Sequence, residues 1–138
     1  MDATIWGPNL WFFLHTLSFE YPESPTKEDI NGHYMFFKSL TEILPCKICR
    51  NHYTKFFNNN PIKNYLNKKT DLIKWVLKCH NNVNIKNNKK VWTYEMLIDK
   101  YTNIYKNPLY NVITYKNLSA CLVIVVIILI IYIIFKKL

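Results

Sequence analysis

The chain has 138 residues, a formal net charge of +9 and two glycines. That length allows one compact domain plus an appendage. The charge invites a nucleic-acid reading, but Arg50 is the single arginine and the 17 lysines are spread along the chain. No cluster for clamping phosphates results, so no nucleic-acid partner is expected. The 17 asparagines that accompany the lysines make the charge partly a matter of composition, and it also suits an anionic membrane surface.

Strict apolar alternation is rare, and the six prolines fall between apolar-periodic stretches or at their first turns. An all-α domain is expected. The first helix is predicted over 8–21, with Leu10, Leu14 and Leu17 on one stripe and Trp11, His15 and Ser18 on the next. After the loop from Pro22 to Pro25, Thr26 and Asp29 have the spacing of a capping box, and a second helix runs to about Leu44. Pro45 breaks it. A third helix begins at or near Cys46 and fades in the polar run 58–61.

A fourth helix is expected to start after Thr70 or Asp71. It carries Leu72, Val76, Cys79 and Val83 on one face and Ile73, Leu77, His80 and Asn84 on its neighbour. Residues 85–90 read as a loop, and Thr93 caps a shorter fifth helix reaching about Tyr105. From Leu118 to Phe135 no residue is charged. As a helix this stretch spans roughly 27 Å, close to the hydrocarbon thickness of a bilayer. Tyr115 and Tyr132 stand near its ends and Lys136 and Lys137 follow, as at a membrane interface. Residues 1–11 lack the features of a signal peptide. The expected organisation is a domain over 1–106, a linker over 107–117 and a transmembrane helix over 118–135. Such a tail anchor leaves the preceding domain in the cytosol.

Of the four cysteines, Cys46 and Cys49 stand at i and i+3. At a helix N-terminus, unsatisfied N–H groups and the helix dipole stabilise a thiolate on the first cysteine. Lys47 and Arg50 add positive charge, and His52 follows one turn later. On spacing alone three readings stand. The pair is redox-active, or it binds zinc together with His52 and Cys79 or His80, or it is two incidental core cysteines. His80 and Asn84 share a face, as do Trp11 and His15. Each pair suits a planar heteroaromatic ligand, but taken alone Trp11–His15 reads more readily as ordinary core and His80–Asn84 as a helix end fraying into an Asn-rich loop.

Taken in order, these segments resemble the Erv/ALR family of FAD-linked sulfhydryl oxidases. Gly7-x-x-x-Trp11-x-x-x-His15-Thr16-Leu17 is similar to the family's first-helix motif, and Tyr21-Pro22-x-x-Pro25-Thr26 to the segment after it. Pro45-Cys46-x-x-Cys49-x-x-His52 resembles the active-site helix. Trp75 with His80-Asn81-x-Val83-Asn84, and Lys89 beyond, resembles the flavin-binding helix and loop. The motifs cover about residues 5–105.

The resemblance implies a four-helix bundle with a short fifth helix, binding FAD and no metal. It implies catalysis by Cys46, the outer interchange thiol, and Cys49, the one nearer the flavin. Electrons would pass from a thiol-bearing protein through that pair and FAD to O2, giving hydrogen peroxide. It implies FAD contacts from Trp11, His15, His80, Asn81, Val83, Asn84 and Lys89, with Lys86 assisting. Lys100 and Tyr101 lie where many relatives carry an Arg-Trp pair that meets the cofactor. It also implies a homodimer packed through first helices.

Pro8 replaces an arginine common in relatives, and Leu77 and Tyr94 stand where many have a structural disulfide. Cys79 is expected as a free, buried thiol, and Cys121 falls within the apolar span. With no second Cys-x-x-Cys as shuttle, the expected electron donor is a separate small dithiol carrier protein. This short, shuttle-free build resembles versions encoded by large DNA viruses, which act on the cytosolic side of membranes.

Overall fold

A computed structural model describes residues 2–106 and, beyond them, residues 123, 124, 126, 127, 132 and 136. The described chain is all-helical: α1 (Ala3–Phe19), α2 (Lys27–Ile43), α3 (Lys47–Asn59), α4 (Lys69–Lys86) and α5 (Tyr94–Lys106), with a 3-10 turn at Ile62–Tyr65. No strand occurs among the described residues. The chain divides into two compact units, Met1–Asp99 and Lys100–Leu138.

Helix boundaries follow local chemistry. The Asp2 carboxylate accepts from the Thr4 N–H at 2.8 Å, so α1 starts before Gly7 rather than at Pro8. Pro8 lies in its second turn and the helix carries on through it. At α2 the capping box is complete: Asp29 N–H donates to Thr26 Oγ1 at 3.1 Å, and Thr26 N–H donates to Asp29 Oδ2 at 2.9 Å. Thr93 Oγ1 accepts from Met96 N–H at 3.2 Å and so starts α5. Helix α4 is longer at both ends than its sequence pattern suggests. It ends where Asn88 takes the left-handed conformation at φ 53°. Lys89 N–H then closes on the Asn84 carbonyl at 2.8 Å.

Within the first unit, α1 packs on α4 and α2 on α3, with α3 also touching α4. Their buried stripes form a core around Trp75, Phe37, Phe56, Leu72 and Val76. Trp75 meets Phe37 and Phe56 edge to face at 5.2 and 5.4 Å. Such pairs add about 0.5–1.5 kcal/mol each beyond area burial. Its indole N–H donates to the Asn60 carbonyl at 2.8 Å, so the ring is buried without leaving a polar atom unpaired. Tyr53 and Tyr21 likewise reach the Phe37 and Leu66 carbonyls at 2.8 and 2.7 Å. These bonds tie α3 to α2 and the turn after α3 to the end of α1.

In the second unit, the end of α5 buries Tyr101 and exposes Lys100. The six described residues beyond 106 are helical and exposed. No helix among the described residues is long and apolar enough to cross a membrane. The linker over 107–117 and Cys121 lie outside the described residues, and so does most of the 118–135 span.

Candidate active site

Between α2 and α3 the chain turns through Leu44, Pro45 and Cys46. Leu44 is buried and anchors the turn, and Pro45 ends α2 by its fixed ring. Cys46 is the N-cap of α3. Its Sγ accepts from the Cys49 N–H at 3.2 Å, the place a serine or aspartate oxygen takes at an ordinary cap. Arg50 N–H donates to the Cys46 carbonyl at 2.8 Å, and the Arg50 guanidinium donates to the Leu44 carbonyl at 2.8 Å. The single arginine therefore braces the end of α2 against the first turn of α3.

Cys46 and Cys49 are joined as a disulfide, with 5.2 Å between their Cα atoms. Both are partly exposed, so a second thiol can approach. The first turn of α3 holds no acidic side chain. Helix dipole, Cys49 N–H and the charges of Lys47 and Arg50 therefore all favour a thiolate at Cys46 once the bond opens. His52 is exposed. Cys79 is a free, buried thiol whose pKa is pushed up by burial. A thiol held protonated in the core is a poor nucleophile, which leaves Cys46 and Cys49 as the exchangeable pair among the described cysteines. Among the described residues, no group of three or more His, Cys, Asp or Glu is gathered for a metal.

The second cluster is aromatic and lies where α1 meets α4. The Trp11 and His80 rings stack at 4.2 Å with 7° between planes. His15, fully buried, joins its Nε2 to His80 Nδ1 at 2.9 Å. One ring supplies a proton there and the other a lone pair, so at most one proton occupies that contact. Trp92 approaches His80 from the loop after α4, at 5.2 Å between ring centroids.

Asn81 holds that loop. Its Nδ2 donates to the Trp92 carbonyl at 2.8 Å, and its Oδ1 accepts from the Trp92 N–H at 2.9 Å. Both ends of the Asn81 amide are thus engaged in fixing the backbone that presents Trp92. Asn84 is buried one turn on, and its side-chain amide lies 3.5 Å from Asn81 Oδ1. Val83 is half-buried, while Lys86 and Lys89 are exposed at the end of α4.

The structure therefore brings together Trp11, His15 and His80 from the sequence reading, with Asn81 and Asn84 supporting them. It adds Trp92, which sequence reasoning missed. The one signal for Trp92 is a lone indole in a lysine- and asparagine-rich run immediately before a helix cap. Lys100 and Tyr101 belong to the second unit. Burial pushes the Tyr101 hydroxyl up to about 12, so it stays protonated as a donor.

An FAD molecule asks for flat apolar walls for its rings, hydrogen-bonding groups at the ring edge and cations for its pyrophosphate. Trp11, His80 and Trp92 supply planar surfaces, His15 and Asn84 buried polar groups, and Lys86 and Lys89 exposed positive charge. The residues fit the group.

A helical bundle with a dithiol turn and a cluster of stacked aromatic rings points to a thiol–disulfide flavoprotein. The model of the Erv1/Alr family matches residues 8–104, and this chain belongs to that family. A probable FAD-linked sulfhydryl oxidase of Acanthamoeba polyphaga mimivirus is 37% identical over 100 residues, spanning 72% of this chain and 70% of that one. An FAD-linked sulfhydryl oxidase of African swine fever virus is 32% identical over 110 residues, spanning 80% and 87%. The fold is that of the FAD binding domain of Erv1 from Saccharomyces cerevisiae, with a TM-score of 0.70 at 24% identity. That match covers 75% of this chain and 96% of that one.

Proposed function

We propose that Cys46 and Cys49 carry the FAD-linked sulfhydryl oxidase activity to which the family and the named relatives point. The carrying observation is the disulfide closed across the N-terminus of α3, with the Cys49 N–H on Cys46 Sγ.

A substrate thiolate attacks Cys46 Sγ. The Cys46–Cys49 bond breaks, and Cys49 leaves as a thiolate. The second substrate thiol, deprotonated, attacks the substrate sulfur of the mixed disulfide and expels Cys46 as a thiolate. The helix N-terminus lowers the cost of that departure. The substrate has become a disulfide, and two electrons rest on the Cys46–Cys49 pair. Bound FAD would supply the acceptor for that pair and the route by which O2 becomes hydrogen peroxide. Trp11, His80 and Trp92 line its ring site, His15 and Asn84 orient the edges, and Asn81 holds the loop in place. Val83 adds apolar wall. Lys86 and Lys89 would offer positive charge to its phosphates.

The substrate proposed is a small dithiol carrier protein, since one Cys-x-x-Cys pair leaves no internal shuttle. The partner of α1 proposed is a second copy of the chain, because Ile5, Phe12 and Phe13 on that helix are exposed. The span over 118–135 is proposed as a tail anchor that keeps the catalytic domain on the cytosolic side of an intracellular or virion membrane. Carbonate extraction should leave the full chain with membranes and release one ending at 117.

The test of the activity is oxygen uptake by the FAD-loaded chain with dithiothreitol. Uptake is expected in the wild type and absent in Cys49→Ser. Dithiothreitol-driven uptake undiminished in Cys49→Ser would remove this pair from the mechanism. In the same variant, a substrate protein should be trapped at Cys46.

A further inference from the structure

Two of the most exposed large apolar side chains in the first unit stand beside the redox disulfide. Ile43 is the last residue of α2 and is 65% exposed. Ile48 lies between the two cysteines and is 69% exposed. Their neighbours Leu44, Tyr53 and Phe56 are buried, so core was available to this segment and these two side chains do not use it. Isoleucine is a middling helix former, and the first turn of a helix favours acidic side chains. Local structure therefore gives no reason for Ile48 at the second position of α3. Exposed charge of both signs is adjacent, Glu42 on one side and Lys47 on the other. The nearby field is mixed, and the guanidinium of Arg50 is engaged with the Leu44 carbonyl. What the disulfide's surroundings offer an incoming chain is apolar contact.

We propose that Ile43 and Ile48 form the docking rim for the substrate, which is a cysteine-bearing protein segment with an apolar side chain adjoining its reactive cysteine. The inference rests on the reading of Cys46 as the thiol that receives the substrate. Ile43 precedes Cys46 by three residues and Ile48 follows it by two, so the residues flanking an attacking sulfur have both exposed side chains within reach. Apolar flanks bury the isoleucines and raise the local concentration of the attacking thiolate. Because contact rather than charge supplies the recognition, the preference persists at high salt.

The test uses the full chain with its disulfide closed, without oxygen. The readout is the rate at which dithiol peptides open Cys46–Cys49, followed by alkylation of the freed thiols and mass spectrometry. Two peptides differ only in carrying leucine or serine beside the first cysteine, and dithiothreitol is the flank-free control. The leucine peptide is expected to react about tenfold faster than the serine peptide, at low and high salt alike. Ile43→Ser and Ile48→Ser should each erase most of that preference, Ile48→Leu should keep it, and the dithiothreitol rate should hold in all three. Equal rates for the two peptides on the wild type overturn the proposal. So does a preference that survives both serine substitutions, or variants that slow dithiothreitol as much as peptide. A wild-type disulfide that dithiothreitol cannot open would instead sink the redox reading beneath it.

Discussion

Cys46 and Cys49 stand one turn apart on a single helix start, whereas His15 and His80 meet across 65 residues of chain. The dithiol turn is assembled by its own backbone: a proline stop, a sulfur cap and one arginine brace between adjacent helices. The aromatic cluster exists only because α1 packs on α4 and a loop is pinned back by Asn81. The electron-accepting end thus depends on tertiary packing, and the thiol-exchanging end depends on local geometry. Damage to one should leave the other recognisable, which makes the contrast testable.

The largest effect falls on the local half. Cys49→Ser should abolish dithiol-driven oxygen uptake while FAD still binds, as read by the flavin absorption of the purified chain. His80→Ala should do the reverse. It deletes the bond to the buried His15 Nε2 and the stack on Trp11, at a cost of about 1–3 kcal/mol in urea denaturation and with loss of bound FAD. The Cys46–Cys49 disulfide should still form and still be opened by dithiothreitol.

Asn81→Ala should sit between these extremes. It removes two hydrogen bonds to the Trp92 backbone. The chain should keep its fold, lose about 1–2 kcal/mol and bind FAD more weakly. Amide exchange at Trp92 should rise, and this separates a released loop from a lost ligand contact.

What the sequence disclosed follows the same division. Cys46-x-x-Cys49, the Thr26–Asp29 box and the Thr93 cap are legible because each is decided within four residues, and all three are present as read. The start of α1 was not legible, because Gly7-Pro8 looks like a helix entrance while Asp2 supplies the actual cap. The turn Ile62–Tyr65 hid in an asparagine- and lysine-rich run, although Ile62 and Leu66 are buried there. The His15–His80 bond and the approach of Trp92 have no short-range signature. They depend on which helix faces which; by themselves the Trp11–His15 pair reads as ordinary core and the His80–Asn84 pair as a frayed helix end. Family resemblance, not periodicity, singled them out.

Smaller effects probe the scaffold. Thr26→Ala should cost about 1 kcal/mol in thermal or urea unfolding and leave turnover intact. The Thr26 backbone N–H, then its hydroxyl, holds the Asp29 carboxyl below its usual value. That contribution is complete above the ordinary carboxylate range and is lost as pH falls through the lowered value. Stability of the wild type should therefore converge on that of Asp29→Asn in acid and exceed it near neutrality. The smallest effect on activity is expected at Cys79→Ala, since burial keeps that thiol protonated and out of exchange. Its oxygen uptake should match the wild type.

The most direct measurement joins the two halves. FAD-loaded chain is mixed with dithiothreitol in the absence of oxygen, and the flavin absorption band is followed in wild type and Cys49→Ser. Electrons that enter at Cys46 and leave through Cys49 should bleach the wild-type band rapidly, with return on admitting air, and should leave the variant's band unchanged. Bleaching at the same rate in both would mean that dithiols reduce the flavin without this pair, and would contradict the account.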